Sequence, residues 1–287
     1  MRRLLITGAS GFFGGRIRKY YSADYDVYAP SHAELDITDR ETVRAAFQKY
    51  RPDIVIHSAA VSDTALCERE PERSRKINVD GSRNMAAASA EFHAKCLLCS
   101  SDQVYFGSAL HGPHSEEESV APCTVYGRQK KKAEEACLEQ SQDCVVLRLS
   151  WMYDTESASR SEHSDFFRTL RNGLQTADIL RYPVWDVRGI TDVNEAVRNL
   201  EKAWDLPGGI YNFGSFNDKN TYETVLAVFA ELGWDTKRLG KNEKAFAENP
   251  RNISMSLKKI QDNGIVFSST REALVRSGRQ CSRSFFP

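Results

Sequence analysis

Apolar residues along this chain follow two alternating periods. Arg3-Leu4-Leu5-Ile6-Thr7 is a short unbroken apolar run, as expected of a strand covered on both faces. Asp26–Ala29, Ile54–His57, Lys95–Ser101, Cys144–Ser150 and Gly209–Phe213 have the same character. Between these runs the apolar positions recur at helical spacing. Val43, Phe47 and Tyr50 form one stripe of a helix over Arg40–Tyr50, with Thr38 or Asp39 as its cap. Pro71–His93, Tyr126–Gln140, Phe166–Leu174, the stretch from Val193 to Trp204, and Thr221–Leu232 also read as helices. Strands that alternate with helices predict an α/β fold built on a doubly wound parallel sheet. The pattern changes after Trp151. Asp154–Ser164 is polar, irregular and carries four serines, which predicts a loop that closes over a site.

The first strand runs straight into Gly8-Ala9-Ser10-Gly11-Phe12-Phe13-Gly14-Gly15, and a helical pattern follows from Arg16 to Tyr21. Strand, glycine turn and helix in this order form the phosphate cradle of a Rossmann-like dinucleotide-binding fold. Gly8 permits the tight turn, Gly11 lets backbone approach a pyrophosphate, and Gly14 lets the helix pack on the strand. Gly8, Ser10, Gly11, Phe12, Phe13 and Gly14 are therefore candidate cofactor contacts. The expected partition is a dinucleotide-binding domain over 1–152 and 176–214, with a smaller C-terminal substrate lobe over 153–175 and 215–287. Small residues at Ser58-Ala59-Ala60, ahead of Val61, leave room for a cofactor across the strand ends. The second strand ends in Pro30-Ser31-His32, with no carboxylate until Glu34. An acid at that end would repel a 2′-phosphate. Its lack favours NADP(H) and still admits NAD(H), with Ser31, His32 or Arg16 as phosphate contacts; an ordinary turn is the alternative.

Composition narrows the class. Lys+Arg and Asp+Glu balance at 39 each, so no net field draws the chain to nucleic acid or an anionic membrane. No apolar run is long enough to span a bilayer, and the N-terminus does not read as a signal peptide. The seven cysteines read as reduced thiols of a cytoplasmic protein. Cys96-x-x-Cys99 lies on a strand, where residues three apart face opposite ways, so it is not read as a redox or metal motif. His111-x-x-His114 falls in a Gly/Pro loop without partners at ligand spacing and reads as surface. No metal site is expected.

Tyr126-Gly127-Arg128-Gln129-Lys130 opens a helix, and positions four apart share a helix face. An ammonium near a phenol favours the tyrosinate, so Lys130 is expected to lower the Tyr126 pKa for proton exchange. Ser100-Ser101-Asp102, at the end of the Lys95–Ser101 strand, adds a hydroxyl where that strand reaches the cofactor. Ser101, Tyr126 and Lys130 are the candidate catalytic set, with Lys130 and Tyr126 also beside the cofactor. His57 reads as a packed histidine.

The Gly8-x-x-Gly11-x-x-Gly14 spacing resembles the extended short-chain dehydrogenase/reductase superfamily. More specific matches are Leu35–Asp39, Arg51–Ala60, Glu70-Pro71, Ile77–Gly81, Ser100–Tyr105, Val125–Lys130 and Leu147–Tyr153. Together they resemble dTDP-4-dehydrorhamnose reductases and their relatives across nearly the whole chain. The resemblance implies an NAD(P)H-dependent reductase of a 4-keto nucleotide sugar, and it implies Asp36 and Ile37 at the adenine. It also places Val61, Gln103 and Trp151 near the sugar and is compatible with a homodimer. Three positions depart from the family pattern. Ser101 stands for a usual Thr, Gln103 for a usual Tyr, and Asn249-Pro250-Arg251-Asn252 for Arg-Pro-x-Asn. The last change removes a bidentate guanidinium from the diphosphate contact. Two alternatives stay open. One is a nucleotide-sugar epimerase or dehydratase; the other is a non-catalytic NADP-binding regulatory subunit, like the β-subunit of methionine adenosyltransferase.

Overall fold

A computed structural model describes residues 1–155, 166–176 and 179–285. The expected lid at Asp154–Ser164 lies, apart from Asp154 and Thr155, outside the described residues.

Contacts divide the chain into two units. The first holds Met1–Phe106, Val120–Leu149 and Val197–Tyr211. Its strands are β1 (Arg3–Thr7), β2 (Asp26–Tyr28), β3 (Ile54–His57), β4 (Lys95–Ser101), β5 (Val145–Leu149) and, later in the chain, β10 (Gly209–Phe213). They form one sheet in the order β10-β5-β4-β3-β1-β2. The pairings of β1 with β2 and β3, and of β4 with β3 and β5, are parallel. Strand order reverses between β1 and β3, and that switch point is where open α/β sheets take ligands.

The helices form where the apolar stripes predict, with local caps. α1 spans Phe12–Tyr21 and so begins four residues before the expected Arg16. α2 (Arg40–Tyr50) is capped by Asp39, whose carboxylate accepts the Glu41 amide, and Arg51 ends it in the left-handed region at φ 44. Its Val43, Ala46 and Phe47 pack with Leu5, Val55 and Met85. Full burial of a side chain such as Phe47 contributes about 1.5–3 kcal/mol.

The single helix expected over Pro71–His93 is interrupted. After α3 (Thr64–Arg69), the chain makes α4 (Pro71–Arg75), a π-turn over Lys76–Gly81, and α5 (Ser82–Glu91). This π-turn, with its wider i→i+5 bonds, was not expected from the sequence. α6 (Val125–Gln140) starts on Thr124, whose hydroxyl accepts the Gly127 amide.

The second unit holds Gly107–Ser119, Ser150–Ala196 and Asn212–Pro287. Its short parallel pairs are β6 (Trp151–Tyr153) with β9 (Ile190–Asp192), β7 (Leu180–Pro183) with β11 (Leu239–Asn242), and β8 (Asp186–Val187) with β12 (Arg251–Asn252). The helices are α7 (Phe166–Thr176), α8 (Val193–Ala203, whose later part belongs to the first unit), α9 (Thr221–Leu232), α10 (Lys258–Asp262) and α11 (Thr270–Phe285). Tyr153, Phe166, Phe167, Leu170, Phe229 and Leu274 share its core. The expected partition assigned 176–196 to the first unit. The β7–β11 and β8–β12 pairings instead tie 180–187 to 239–252, so this stretch packs with the second.

His57 is fully buried in the first unit and wired as a neutral ring. Ser82 Oγ donates to the Asn78 carbonyl, so it accepts from His57 Nε2 at 3.0 Å. Nδ1 then accepts from Thr7 Oγ1 at 2.7 Å. A second proton would displace the threonine hydroxyl, and burial pushes the imidazole from 6.5 to about 3. Below the unfolded pKa the unfolded chain binds one proton that the folded chain refuses. Stability from this group is therefore complete above about pH 6.5 and falls between pH 6.5 and 3, by up to about 1.4 kcal/mol per pH unit. Urea unfolding at pH 7 and pH 5.5 is expected to show a smaller acid loss for His57→Asn than for the wild type.

Candidate active site

The glycine turn sits at the end of β1. Gly8 has φ +71, and a Cβ there would meet Ala59 N at 2.7 Å. A Cβ on Gly14 would meet the Ser58 hydroxyl at 2.8 Å and collide with the Gly8 carbonyl. β1, β3 and α1 therefore approach each other through glycine at both positions. Ser58 Oγ donates to Thr7 O at 2.6 Å and holds the two strand ends together. Gly11 caps α1 with no side-chain acceptor, and the first turn has no acid. The positive end of α1 is thus open to an anion, and these residues fit a dinucleotide pyrophosphate. Ser10 and Gly11 are exposed, Phe12 is half-buried and Phe13 is buried.

The remaining cofactor candidates show local work as well. Asp36 Oδ1 accepts from Thr38 N at 2.9 Å and Thr38 Oγ1 at 2.8 Å, bonds that hold its pKa down. Ile37 is buried, and its side chain fills the space beside Gly81. Ser31, the expected 2′-phosphate contact, donates from both N and Oγ to Glu34 Oε2 at 2.8 Å. The acid that the strand end lacks is supplied three residues later. Arg16 donates to Phe12 O at 2.8 Å and lies over the Phe12 ring at 4.0 Å.

The three candidate catalytic groups come together where β4 meets α6. Tyr126 and Lys130 are 8% and 4% exposed, and Ser101 is 9% exposed. The Ser101 hydroxyl lies beside the Tyr126 phenol, close enough to offset part of its burial. Lys130 Nζ lies 5.8 Å from the Tyr126 ring centre and donates to Cys99 O at 2.9 Å. Contrary to expectation, the phenol is not made more acidic. Burial raises its pKa well above the ordinary tyrosine value, and the Ser101 hydroxyl opposes this only in part. Burial also lowers the Lys130 pKa. The phenol is thereby kept protonated, as a proton donor must be.

Gln103 is buried in a 3-10 turn over Asp102–Tyr105, with its amide N–H bonded to Ser101 Oγ at 3.2 Å. Val61 is gripped by a side chain that the sequence reading did not select. Asn78, from the π-turn, accepts Val61 N at 2.7 Å and donates to Val61 O at 3.0 Å. It also donates to Gln129 Oε1 at 2.8 Å, and Gln129 in turn donates to Pro71 O and Ser74 Oγ. Glu134 and Arg148 were missed too, although a charged residue inside a buried strand is itself a signal.

In the second unit, Trp151 lies on β6 with the Arg188 guanidinium 5.1 Å from its ring centre. Arg251 donates to Asp186 Oδ1 at 2.7 Å and covers the Phe246 ring at 4.1 Å. His114, expected at the surface, is fully buried. It bonds Glu118 Oε2 at 2.6 Å and Asn252 O at 2.9 Å, the second contact 138 residues away. Among the described residues no group of three His, Cys, Asp or Glu side chains could hold a metal ion, and no helix is long and apolar enough to cross a membrane.

With this geometry in view, comparison with known proteins is decisive for the family. The profile of the RmlD substrate binding domain matches residues 1–282. The chain belongs to that family. It is 28% identical over 240 residues to a dTDP-4-dehydrorhamnose reductase of Aggregatibacter actinomycetemcomitans, covering 80% of this chain and 79% of the relative. It is 25% identical over 279 residues to methionine adenosyltransferase 2 subunit beta of Pongo abelii, covering 92% and 83%. The crystal structure of a Bacillus anthracis dTDP-4-dehydrorhamnose reductase in complex with NADP superposes with a TM-score of 0.86. Its identity is 24%, with 98% of this chain and 100% of that one covered.

The close approach at Gly14 leads to a direct expectation. Gly14→Ala should destabilise the protein by about 1–3 kcal/mol, because backbone and the Ser58 hydroxyl must both move. Urea unfolding and NADPH titration check this, with loss of stability and affinity expected together.

Proposed function

We propose that this RmlD-family chain is an NAD(P)H-dependent reductase of a 4-keto nucleotide sugar, similar to dTDP-4-dehydrorhamnose reductase. The observation that carries the proposal is the buried meeting of Ser101, a protonated Tyr126 and Lys130 at the end of β4. The 28% identical relative of that name supports the substrate class. When bound, the reduced nicotinamide supplies a hydride to the carbonyl carbon. Tyr126 gives its phenolic proton to the carbonyl oxygen, and Ser101 hydrogen-bonds the same oxygen as negative charge develops on it. Lys130 would hold a positive charge beside the phenol that gives up the proton, and would donate to the ribose hydroxyls of a bound nicotinamide. Related dehydratases carry a second acid after the catalytic hydroxyl; here Asp102 is followed by the amide Gln103, which favours reduction over dehydration. The cysteines described are free thiols, which fits a cytoplasmic location.

The test is NADPH and NADH oxidation against a panel of 4-keto nucleotide sugars, in which at least one sugar should be reduced. Failure across the panel would remove this reading. Tyr126→Phe should lower kcat by about 100- to 10,000-fold with little change in cofactor affinity. Lys130→Ala should lose both. A Tyr126→Phe variant that kept most of its turnover would exclude the phenol as the proton donor.

The cofactor preference has its own test. NADPH should bind at least as tightly as NADH, since Val27-Tyr28 at the end of β2 and the Ala29-Pro30-Ser31 that follows carry no acid, and the next carboxylate, Glu34, is held by Ser31. The Glu34 carboxylate occupies the Ser31 donors that a 2′-phosphate would use. Glu34→Gln should therefore widen the NADPH margin in calorimetric titrations, and a strong NADH preference in the wild type would oppose the assignment.

A further inference from the structure

Behind the candidate catalytic groups lies a buried ion pair with no part in the chemistry described so far. Glu134 and Arg148 are 1% and 2% exposed. Arg148 sits on β5 opposite Ser100 of β4. Its Nε donates to Glu134 Oε1 at 3.0 Å and its Nη2 to Oε2 at 2.7 Å, a two-point contact of fixed geometry. Nη1 donates to Tyr105 Oη at 2.9 Å, and the guanidinium lies 5.0 Å from that ring centre. Tyr105 closes the 3-10 turn that follows Ser101. Glu134 also accepts from Ser100 Oγ at 2.5 Å.

Tyr126, Lys130 and Glu134 are spaced four apart and form one stripe of α6. That stripe meets three successive residues of β4. Lys130 donates to Cys99 O, Glu134 accepts from Ser100 Oγ, and the Tyr126 phenol lies beside Ser101. The fully buried apolar side chains that α6 adds to the neighbouring cluster with Leu98 and Val146 are small, Ala133 and Cys137. Small residues specify little about how far a helix slides along a sheet, whereas a bidentate ion pair does.

We propose that Glu134 and Arg148 are the positioning pair of this site, setting the register of α6 on β4 and β5 so that Tyr126 and Lys130 meet Ser101. The proposal rests on the reductase reading for its catalytic consequence and on geometry alone for its structural one. Removing one partner would strand a buried charge and threaten folding, whereas replacing both need not. The informative variant is therefore Glu134→Gln/Arg148→Met. It removes both charges and leaves the candidate catalytic residues unsubstituted.

Two measurements are made on the full-length protein. Lysine 13Cε NMR, with Lys130 assigned by its absence in Lys130→Arg, follows that ammonium without any substrate. In the wild type, burial holds its pKa below that of an ordinary lysine, among Cys99 of β4, Cys67 of α3, His57 of β3, and Cys137 and Glu134 of α6. With the register lost, Lys130 should move toward water and titrate closer to an ordinary lysine. Turnover on the sugar that the wild type reduces should fall at least tenfold, at a melting temperature close to the wild type. A variant that stays folded with the Lys130 titration unchanged, or with wild-type turnover, overturns the proposal. If the double variant does not fold, Arg148→Lys keeps the charge without the two-point contact, and the same readings decide. A wild type that reduces no sugar refutes the reductase reading, and the NMR result still decides the positioning claim.

Discussion

The arrangement of the site depends on one constraint: a polar stripe of α6 must be buried against the end of β4. Lys130, Glu134 and Arg148 are each at most 4% exposed. Charges at such positions are tolerated only when paired or hydrogen-bonded. Cys99 O meets the lysine, Ser100 and Arg148 meet the glutamate, and Ser101 meets the Tyr126 phenol. Satisfying those buried groups is what brings the candidate acid–base residues together. Burial also keeps the phenol protonated, the form that the proposed proton donor requires.

A second constraint works through absent side chains. β1, β3 and α1 come together at Gly8 and Gly14, where any Cβ would strike backbone. The same approach brings Ser58–Ala60 beside the open end of α1. Asn78 extends this order to Val61, and Gln129 links the π-turn to α6 within the first unit. Hydrogen bonds through Thr7, His57, Ser82, Asn78 and Gln129 thus run from the strand end beside the glycine turn to α6, the helix that carries Tyr126 and Lys130.

Much of this was legible in the sequence because it is local. Strand, glycine turn and helix occupy adjacent residues, and Tyr126 and Lys130 share a face by spacing alone. Extending that spacing by one more turn reaches Glu134, and Arg148 interrupts an otherwise apolar strand, so both carried an unused signal. Other features depend on distant partners. His114 looks like a loop histidine until Asn252 covers it. The raised pKa of Tyr126 needs burial, which spacing does not report; the lysine four residues away suggested the opposite sign. The π-turn over Lys76–Gly81 depends on its buried Asn78, whose partners Val61 and Gln129 lie 17 and 51 residues away. Glu34 reaches Ser31 only through the turn that the backbone takes after β2.

The central claim is that this buried face carries out a net reduction, with hydride entering the sugar from the cofactor and the proton from Tyr126. The most direct measurement uses NADPH deuterated at the transferable C4 position, with a 4-keto nucleotide sugar as acceptor and mass spectrometry and NMR of the product. The account expects one deuterium bound to C4 of the reduced sugar, with one NADPH consumed per product. Sugar converted without net NADPH consumption, or no product at all beside intact cofactor binding, would contradict it.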